Sequence, residues 1–345
     1  MKVLVTGGTG YIGSHTVVEL LEKGHEVVII DNLCNSALEI LNGIKKITGI
    51  KPDIENIDLC DFKAVADFFL RHKNITAIIH FAAHKAVGES VILPLKYYHN
   101  NLLSLINTLQ GAIDAKINLQ GFVFSSSCTV YGNPDSLPVT EQAIIKEASS
   151  PYGNTKRICE EILQDVVKQT NFKAISLRYF NPAGAHDSAF IGELPIGSPN
   201  NLVPIITQTA IGKRKKVLEI YGNDYATSDG TCVRDYIHVV DLAKAHVVSI
   251  ERLLNKKSKS NFETFNVGTG IGYTVLELMN MFEKISGVKL HYKIVSRRPG
   301  DIEAMYADTT YSNKELDWKA EKNLEEMIAS SWNWEKKLAE LKINV

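Results

Sequence analysis

A tyrosine and a lysine four residues apart, Tyr152 and Lys156 in the segment YGNTK, begin a long amphipathic stretch. Residues at positions i and i+4 share one face of a helix, so we expect the two side chains to lie together. A phenol is a poor base near neutral pH because its ordinary pKa is about 10. A neighbouring ammonium favours the phenolate and lowers that pKa. The pair therefore predicts that Tyr152 accepts a proton from a substrate hydroxyl, although such pairs also arise by accident.

Three consecutive serines, Ser125, Ser126 and Ser127, follow an apolar segment that is typical of a buried strand. Ligands of open α/β sheets bind outside the carboxyl ends of the strands. A hydroxyl at that edge can hydrogen-bond the reacting oxygen of a sugar or ketone, and we assign this role to Ser127. Ser126 is expected to be only a polar cap on the strand end. A serine hydrolase is not indicated, because the chain has no G-x-S-x-G motif.

The element that must position this chemistry starts with an apolar strand at residues 3–5 and the glycines Gly7, Gly10 and Gly13. In a strand–turn–helix unit the first glycine permits the tight turn and the second lets the backbone approach a pyrophosphate. The third allows close packing of helix and strand. Phosphates then lie at the helix N-terminus, near unpaired N–H groups and the positive end of the helix dipole. The spacing predicts a dinucleotide-binding turn.

An acidic residue, Asp31, ends the second predicted strand. A carboxylate there accepts hydrogen bonds from the adenosine ribose hydroxyls and repels a 2′-phosphate. Binding sites for NADP usually place Arg or Lys nearby, yet no Lys or Arg lies between Lys2 and Lys23 or between Asp31 and Lys45. We therefore expect NAD rather than NADP.

Short β-branched runs alternate with helical patterns through the first half of the chain, which predicts right-handed crossovers. The fold class is thus predicted as α/β, a Rossmann-type doubly wound parallel sheet with a smaller α/β C-terminal substrate-binding lobe. Residues 1–181 form the predicted NAD-binding domain, to which residues 236–270 return, and 182–345 form mainly the lobe. Residues 182–235 are expected to be largely substrate-covering loops. Strands are predicted at 3–5, 27–30, 77–79, 122–124, 174–177 and 265–267, and helices at 12–22, 63–71, 94–113, 152–169, 240–254 and 274–286.

Composition excludes several functional classes. A net charge of −1 argues against nucleic-acid and membrane-surface binding. The five cysteines contain no C-x-x-C pair, so we expect neither a disulfide framework nor a zinc site but a reducing, cytoplasmic location. His80 and His84 have the spacing of a metal pair but lack a third ligand, so we expect core or loop histidines. No apolar stretch reaches about 18 residues, and no signal peptide is expected.

The glycine turn, Asp31, the serines and Tyr-x-x-x-Lys together resemble the extended short-chain dehydrogenase/reductase family. Within that family the resemblance is to the UDP-glucose 4-epimerases, and it runs from Met1 to about Trp334. The segments that carry it are VLVTGGTGYIGSH, DNLCNS, HFAAHKAVGESV, SSSCTVYG, SPYGNTK, RYFNPAGAH, PNNLVP, GTCVRDYIHVVDLA and RRPGD.

The resemblance implies roles at matching positions. The catalytic residues would be Tyr152, Lys156 and Ser127. The residues that would contact NAD are Gly7, Gly10, Tyr11, Ile12, Gly13, Asp31, Asn32, Asn35, Ser36, Asp58, Leu59, Phe81, Lys85, Asn100, Tyr152, Lys156 and Phe180. The UDP-sugar pocket would contain Lys85, Ser127, Tyr152, Asn181, Asn201, Leu202, Tyr221, Arg234, Arg298, Asp301 and Met305, with the arginines on the diphosphate.

The implied reaction interconverts UDP-glucose and UDP-galactose through a 4-keto sugar, with NAD retained and restored in each cycle. The C4 hydrogen is not acidic, so hydride removal is favoured over proton abstraction. Remote binding of UDP would position a loosely held sugar. A homodimer is implied, pairing the helices near 94–113 and 152–169 as a four-helix bundle.

Several alternatives stay open. Nucleotide-sugar 4,6-dehydratases place an Asp-Glu pair just after the serine position, where this chain has Cys128-Thr129-Val130-Tyr131-Gly132. A 4-epimerase of UDP-pentoses, UDP-uronates or UDP-N-acetylhexosamines is possible. In this family the position of Met305 limits the sugar substituent, and methionine is flexible enough to fill or vacate such a space. Other possibilities are a dehydrogenase that releases NADH and a catalytically silent NAD-sensing protein, although the intact Tyr152 disfavours the latter.

Overall fold

The computed structural model describes residues 1–214, 217–298 and 301–341. Its strands are β1 (Lys2–Thr6), β2 (Glu26–Asp31), β3 (Asp53–Asn56), β4 (Ile75–His80), β5 (Gly121–Ser125), β6 (Lys173–Tyr179), β7 (Asn181–Ala183), β8 (Val217–Tyr221), β9 (Val233–His238), β10 (Phe262–Val267), β11 (Gly272–Thr274), β12 (His291–Val295) and β13 (Ala304–Met305). Its helices are α1 (Tyr11–Glu22), α2 (Ile40–Thr48), α3 (Phe62–Arg71), α4 (Val87–Ile92), α5 (Pro94–Asp114), α6 (Pro151–Val166), α7 (Leu202–Ala210), α8 (Val239–Leu254), α9 (Val275–Ser286), α10 (Thr310–Leu316) and α11 (Leu324–Glu340).

Seven strands form the central sheet, in the order β10-β6-β5-β4-β1-β2-β3, and all neighbouring strands are parallel. The chain builds outward from β1 to β3 and then returns to place β4 on the other side of β1. The carboxyl ends of β1 and β4 therefore flank the point at which the strand order reverses, where such sheets bind their ligands. The predicted doubly wound parallel sheet is confirmed.

Helices cover both faces of this sheet, which explains why its strands are apolar throughout. Val3 and Val5 point to the face covered by α1 and α8, and Leu4 points to the face covered by α3, α5 and α6. All three side chains are fully buried. The alternation along β1 thus contributes to two separate cores, one on each side of the sheet.

The start of α6 places the predicted Tyr-Lys pair. Ser150 caps the helix, and its hydroxyl accepts a hydrogen bond from the Gly153 amide at 3.2 Å. Pro151 occupies the first helical position, where a missing N–H costs nothing. Tyr152 and Lys156 are therefore one turn apart on the buried side of the helix. The helix ends at Val166 rather than at the predicted residue 169.

A second group of elements packs beside the sheet. Strands β11, β9, β13 and β7 form one small sheet, and β8 pairs with β12 in another. The expectation that 182–235 is mainly loop is wrong in part, because this segment contains β7, α7 and β8. Ile206 and Leu218 join a core with Phe282 of α9 and Met327 of α11. Those partners lie far along the chain, so the local hydrophobic period could not reveal them. Across the described residues, no helix is both long and apolar enough to cross a membrane.

Candidate active site

The glycine-rich turn joins β1 to α1, and its glycines have no side chains to cover the backbone there. Gly7 has a φ of +69°, which glycine adopts without strain, and its amide donates to the Ile30 carbonyl oxygen at 2.8 Å. A Cβ atom on Gly13 would lie 2.2 Å from the Gly7 carbonyl oxygen, closer than atoms can approach. The turn therefore requires glycine at both positions, and α1 starts directly behind it. This arrangement fits the pyrophosphate of a dinucleotide at the helix N-terminus.

Asp31 ends β2 and faces that turn. Its Oδ2 atom accepts the amide of Thr9 at 3.1 Å, and Oδ1 accepts the Leu33 amide at 2.9 Å and the Ser36 hydroxyl at 3.1 Å. The Ser36 hydroxyl also lies 2.7 Å from that of Thr9. The carboxylate thus ties the turn to the loop that follows β2, which contains the predicted cofactor residues Asn32, Asn35 and Ser36.

Other predicted cofactor residues follow neighbouring strands at the same sheet edge. The Phe81 amide donates to the Thr6 carbonyl oxygen at 3.0 Å, and the Phe180 amide donates to the Val267 carbonyl oxygen at 3.2 Å. The remaining members of this set are Tyr11 and Ile12 in the first turn of α1, Asp58 and Leu59 after β3, Lys85 after β4, and Asn100 on α5. The carboxyl ends of the parallel strands bring these positions to one edge.

Tyr152, Lys156 and Ser127 meet at the end of β5. Tyr152 is buried, and Ser127 is near enough to its phenol to lower the pKa of that group. The Nζ atom of Lys156 donates to the Ser125 carbonyl oxygen at 2.6 Å and lies 4.8 Å from the ring centre of Phe124. The same ammonium is 6.0 Å from the centre of the Tyr152 ring. A phenol, a hydroxyl and an ammonium therefore share one buried site, as the sequence predicts.

Burial dominates the proton affinities of this pair. It raises the pKa of Tyr152 well above the ordinary 10, an effect that Tyr179 reinforces and Ser127 opposes. Burial also lowers the pKa of Lys156 to about 8, although Cys159 and Glu160 act in the other direction. Burial therefore outweighs the lowering of the Tyr152 pKa that is expected from a neighbouring ammonium. Additional positive charge is needed at the site.

The other serines of the cluster are structural. The Ser126 hydroxyl donates to the Glu160 carboxylate at 2.6 Å, and Arg178 also binds that carboxylate through two nitrogens. The Ser125 hydroxyl donates to the Tyr179 phenol oxygen at 3.0 Å. The Ser127 hydroxyl oxygen accepts hydrogen bonds from the Thr129 amide at 3.2 Å and from the Thr129 hydroxyl at 3.0 Å, and it also acts on the phenol of Tyr152.

The predicted nucleotide-sugar residues form several groups in the second part of the chain. The Asn181 side chain donates to the Asp235 carbonyl oxygen at 3.1 Å, and Asn201 and Leu202 begin α7. Arg298 lies over the Tyr221 ring at 4.5 Å and pairs with Asp301 at 3.1 Å. Pro299 and Gly300 of the RRPGD segment lie outside the described residues.

Met305 lies close to the catalytic strand end. It pairs in register with Arg234 between β13 and β9, and only 3% of its side chain is exposed. It belongs to one apolar cluster with Cys128 and Phe180. The Met305 side chain therefore occupies space beside the segment that follows Ser127.

Sequence reasoning missed two carboxylates. Asp235 is fully buried and accepts hydrogen bonds from Thr269, Gly270 and Ala307, so it joins β9 to two loops. Glu193 accepts from both Lys85 and Asn201. Asp235 lies in the VRDYIH segment quoted above, which is a signal that was available; Glu193 lies in a stretch of Gly, Pro and Ser without periodicity.

His80 and His84, which have the spacing of a metal pair, each make a hydrogen-bond contact within the protein. His80 is buried, its Nδ1 lies 2.9 Å from the Thr6 hydroxyl oxygen, and burial lowers its pKa to about 3. The His84 amide donates to the Asn101 side chain at 2.8 Å. In the described parts of the chain, no group of three or more His, Cys, Asp or Glu residues is arranged to hold a metal ion.

Known proteins match the chain along nearly its full length. A family model described as GDP-mannose 4,6 dehydratase matches residues 4–331. A Bacillus subtilis (strain 168) protein named UDP-glucose 4-epimerase is 50% identical over 336 residues, which is 97% of this chain and 97% of that protein. The chain belongs to the UDP-glucose 4-epimerase family. The resemblance inferred from the motifs is thereby confirmed.

Solved structures of this epimerase family share the fold. The UDP-glucose 4-epimerase of Stenotrophomonas maltophila, with bound NAD and formylated UDP-arabinopyranose, is 46% identical with a TM-score of 0.93 and coverage of 99% of each chain. The enzyme from Bifidobacterium longum, in complex with NAD+ and UDP, is 46% identical with a TM-score of 0.92 and coverage of 98% of each chain.

Proposed function

We propose that this chain is a UDP-glucose 4-epimerase that interconverts UDP-galactose and UDP-glucose with tightly bound NAD. The observation that carries the proposal is the buried group of Tyr152, Ser127 and Lys156 at the end of β5, on the same edge of the sheet as the glycine turn after β1. The 50% identity to the Bacillus subtilis epimerase supports the same activity.

The residues present fit NAD. Gly7 and Gly13 have no room for a Cβ atom, which suits a turn that approaches a pyrophosphate, and Asp31 lies where ribose hydroxyls are expected. Bound NAD would supply a hydride acceptor and donor for C4 of the sugar, together with a positive charge. Residues 1–181, with 236–270, are proposed as the NAD-binding domain, and 182–345 mainly as the lobe for the nucleotide sugar.

The chain's own groups handle the proton. Tyr152 is proposed to accept the proton of the sugar O4 hydroxyl, and Ser127 to hydrogen-bond the same oxygen. Lys156 remains a cation at neutral pH because its pKa, although lowered, is about 8. Its charge opposes the unfavourable burial of a phenolate at Tyr152.

The UDP group is proposed to anchor the substrate while the sugar turns. Arg234 and Arg298 suit the diphosphate because guanidinium groups bind phosphate oxygens in pairs. Tight binding remote from C4 leaves the hexose free to present either face. Met305 is proposed to limit the substituent that can turn, with a preference for unsubstituted hexoses; a 4-epimerase of UDP-N-acetylglucosamine or of a UDP-pentose is the alternative.

Dehydratase and dehydrogenase activities are less well supported. The residues after Ser127 form a short 3₁₀ helix, Cys128–Tyr131, that carries no carboxylate to act as an acid or base for elimination. A net dehydrogenase must release NADH in each turnover. The proposed test separates these reactions.

Purified protein is incubated with UDP-galactose in the absence of added NAD, and the products are identified by chromatography. The expected product is UDP-glucose, without growth of the reduced-nicotinamide absorption. Steady growth of that absorption would indicate a dehydrogenase, and no conversion even with NAD supplied would refute the proposal.

Assembly and location follow the family. We propose a homodimer through α5 and α6, because α4 and α5 expose large apolar side chains such as Ile92 (78% exposed) and Leu95 (81% exposed).

All five cysteines are free, which supports a reducing, cytoplasmic location.

A further inference from the structure

A buried ion pair contacts both ends of the segment that carries Ser127. Glu160 on α6 and Arg178 on β6 are 2% and 4% exposed, and the guanidinium donates to the two carboxylate oxygens, from Nε at 3.0 Å and from Nη2 at 2.6 Å. The loss of hydration offsets much of the attraction within such a pair, so it is weak evidence for stability. Its geometry is more informative, because charged hydrogen bonds are short and directional.

The carboxylate holds the start of that segment. β5 ends at Ser125, and the hydroxyl of the next residue, Ser126, donates to Oε1 of Glu160 at 2.6 Å. The same oxygen accepts the hydroxyl of Ser176 on β6 at 2.7 Å. Both serines are fully buried, so bulk water does not compete for either bond. Ser127 therefore follows a residue that is tied to α6.

The guanidinium of Arg178 contacts the end of the same segment. It lies 4.8 Å from the ring centre of Tyr131, the last residue of the 3₁₀ helix that follows Ser127. The Tyr131 hydroxyl donates to Asn266 on β10 at 2.7 Å, which holds the ring at its other end. The residues from Ser126 to Tyr131 thus contact one ion pair at both ends, with Ser127 between the two contacts.

Glu160 shares its helix with the other two groups of the site. Tyr152 and Lys156 precede it on α6 at a spacing that places all three on one face of the helix. The bond from Ser126 to Glu160 therefore fixes the distance between Ser127 and Tyr152, which are proposed to meet the same sugar oxygen. Because a misplacement of about 1 Å can cost about 10²-fold in rate, this link bears on turnover rather than on the binding of UDP.

The carboxylate also supplies negative charge beside Lys156. Burial lowers the pKa of this lysine, whereas Cys159 and Glu160 raise it. The other titratable groups that act on Lys156 or respond to it are neutral near pH 7: burial raises the pKa of Cys159 to about 12 and lowers the pKa of His80 to about 3 and that of His246 to about 4. Among these groups, Glu160 is therefore the one that carries a negative charge.

We infer that Glu160 is a positioning residue for the proposed reaction: through Ser126 it fixes Ser127 relative to Tyr152, and its charge favours the cationic form of Lys156. The inference rests on the proposed function, since it assumes that these groups act on the sugar.

Ser126→Ala and Ser176→Ala separate positioning from stability. Each variant removes one buried hydroxyl that donates to the same carboxylate oxygen, but only Ser126 adjoins Ser127. Turnover of UDP-galactose is measured on the purified protein with NAD supplied, and UDP affinity is measured by titration calorimetry. We expect kcat to fall about ten-fold in Ser126→Ala, with UDP affinity unchanged, and to keep its wild-type value in Ser176→Ala. Equal kcat values in the two variants would overturn the positioning role.

Glu160→Gln tests the charge. This variant keeps the size of the side chain and removes the negative charge beside Lys156. We expect the alkaline decline of kcat to move to lower pH, because Lys156 then loses its proton more readily. Glu263→Gln is the matched control, since Glu263 on the edge strand β10 forms an equivalent buried pair with Arg252, at 2.8 and 3.0 Å. It should lower the melting temperature in a similar way and leave the pH profile of kcat unchanged.

A buried guanidinium without its partner can prevent folding of Glu160→Gln. The double variant Glu160→Gln/Arg178→Met removes both charges and is measured in the same way, with the same shift expected. A wild-type pH profile in either of these variants would overturn the electrostatic role. The two serine variants retain both charges, so they decide the positioning role independently. A wild-type protein that converts no UDP-galactose would contradict the proposed function instead.

Discussion

The ammonium of Lys156 donates to the carbonyl oxygen of Ser125 at 2.6 Å, so this lysine is fixed to the last residue of β5. Ser127 lies two residues beyond, and Tyr152 lies one helical turn before the lysine on α6. The end of one strand and the start of one helix thus position all three groups. The structure places a charged side chain where burial disfavours its charge, and this has a measurable consequence.

Lys156 is expected to make the free energy of unfolding depend on pH in the alkaline range. Burial lowers its pKa from 10.5 to about 8, so between these values the unfolded chain holds a proton that the folded protein has lost. Stability contributed by this group therefore rises with pH in that window, by at most about 1.4 kcal/mol per pH unit. Urea unfolding of wild type and Lys156→Met is measured from pH 7 to 10. The free energy of unfolding of wild type should rise relative to that of the variant as the pH rises. A constant difference would contradict the lowered pKa.

Tyr152→Phe is expected to lose about 10²–10⁴-fold in turnover of UDP-galactose, because the proton of the O4 hydroxyl loses its acceptor. Binding of NAD and UDP should persist, since the ring remains in place. The control is Tyr131→Phe, which removes another buried phenol, one that donates to Asn266 at 2.7 Å. Retained turnover in Tyr152→Phe would show that the proton goes to a different group.

Local sequence signals were sufficient where one short segment builds a feature. The glycine turn and Asp31 lie within the consecutive elements β1, α1 and β2, and the Tyr-x-x-x-Lys motif lies on α6 alone; the structure gives both the expected geometry. The parallel sheet also followed from the alternation of apolar strands and amphipathic helices. These features depend on patterns within one element or between consecutive elements, which a period or a motif records.

Features that depend on distant partners could not be predicted in this way. Ile206 and Leu218 belong to a core completed by α9 and α11, which lie far along the chain from the segment 182–235. Glu193 acquires its partners only when Lys85 and Asn201 approach in space. The high pKa of Tyr152 depends on burial by several elements, and a motif contains no information about that burial.

Gly13→Ala is expected to lose bound NAD. The added Cβ atom would lie 2.2 Å from the Gly7 carbonyl oxygen, so the turn or α1 must shift. Such overpacking typically costs about 1–3 kcal/mol and here distorts the phosphate site directly. The nucleotide retained after purification is measured by its absorbance. Gly88→Ala is the control, because its Cβ atom meets nothing within 4 Å. Equal NAD content in Gly13→Ala and wild type would argue against the proposed phosphate site.

Met305→Cys is expected to raise the rate with UDP-N-acetylglucosamine several-fold from a slow wild-type rate. The methionine is buried beside Cys128 and Phe180, so a shorter side chain leaves room for an N-acetyl group. Rates with UDP-galactose and UDP-N-acetylglucosamine are compared for both proteins. Met279→Cys, a buried methionine in the core of α9, controls for loss of packing. If the ratio of the rates with the two substrates were the same in wild type and Met305→Cys, the proposal that Met305 limits the sugar substituent would be wrong.

Leu95→Glu is expected to dissociate the proposed homodimer. Leu95 is 81% exposed on α5 and follows the exposed Val91 and Ile92 of α4 in the sequence. Covering such an apolar surface with a second copy of the chain would lower the free energy of the assembly. A buried carboxylate without a partner would oppose that association. Sedimentation velocity should show a dimer for wild type and a monomer for the variant. Leu70→Glu, at an exposed position on α3 (56% exposed), should remain dimeric. A wild-type monomer, or a dimer unaffected by Leu95→Glu, would place the association elsewhere or exclude it.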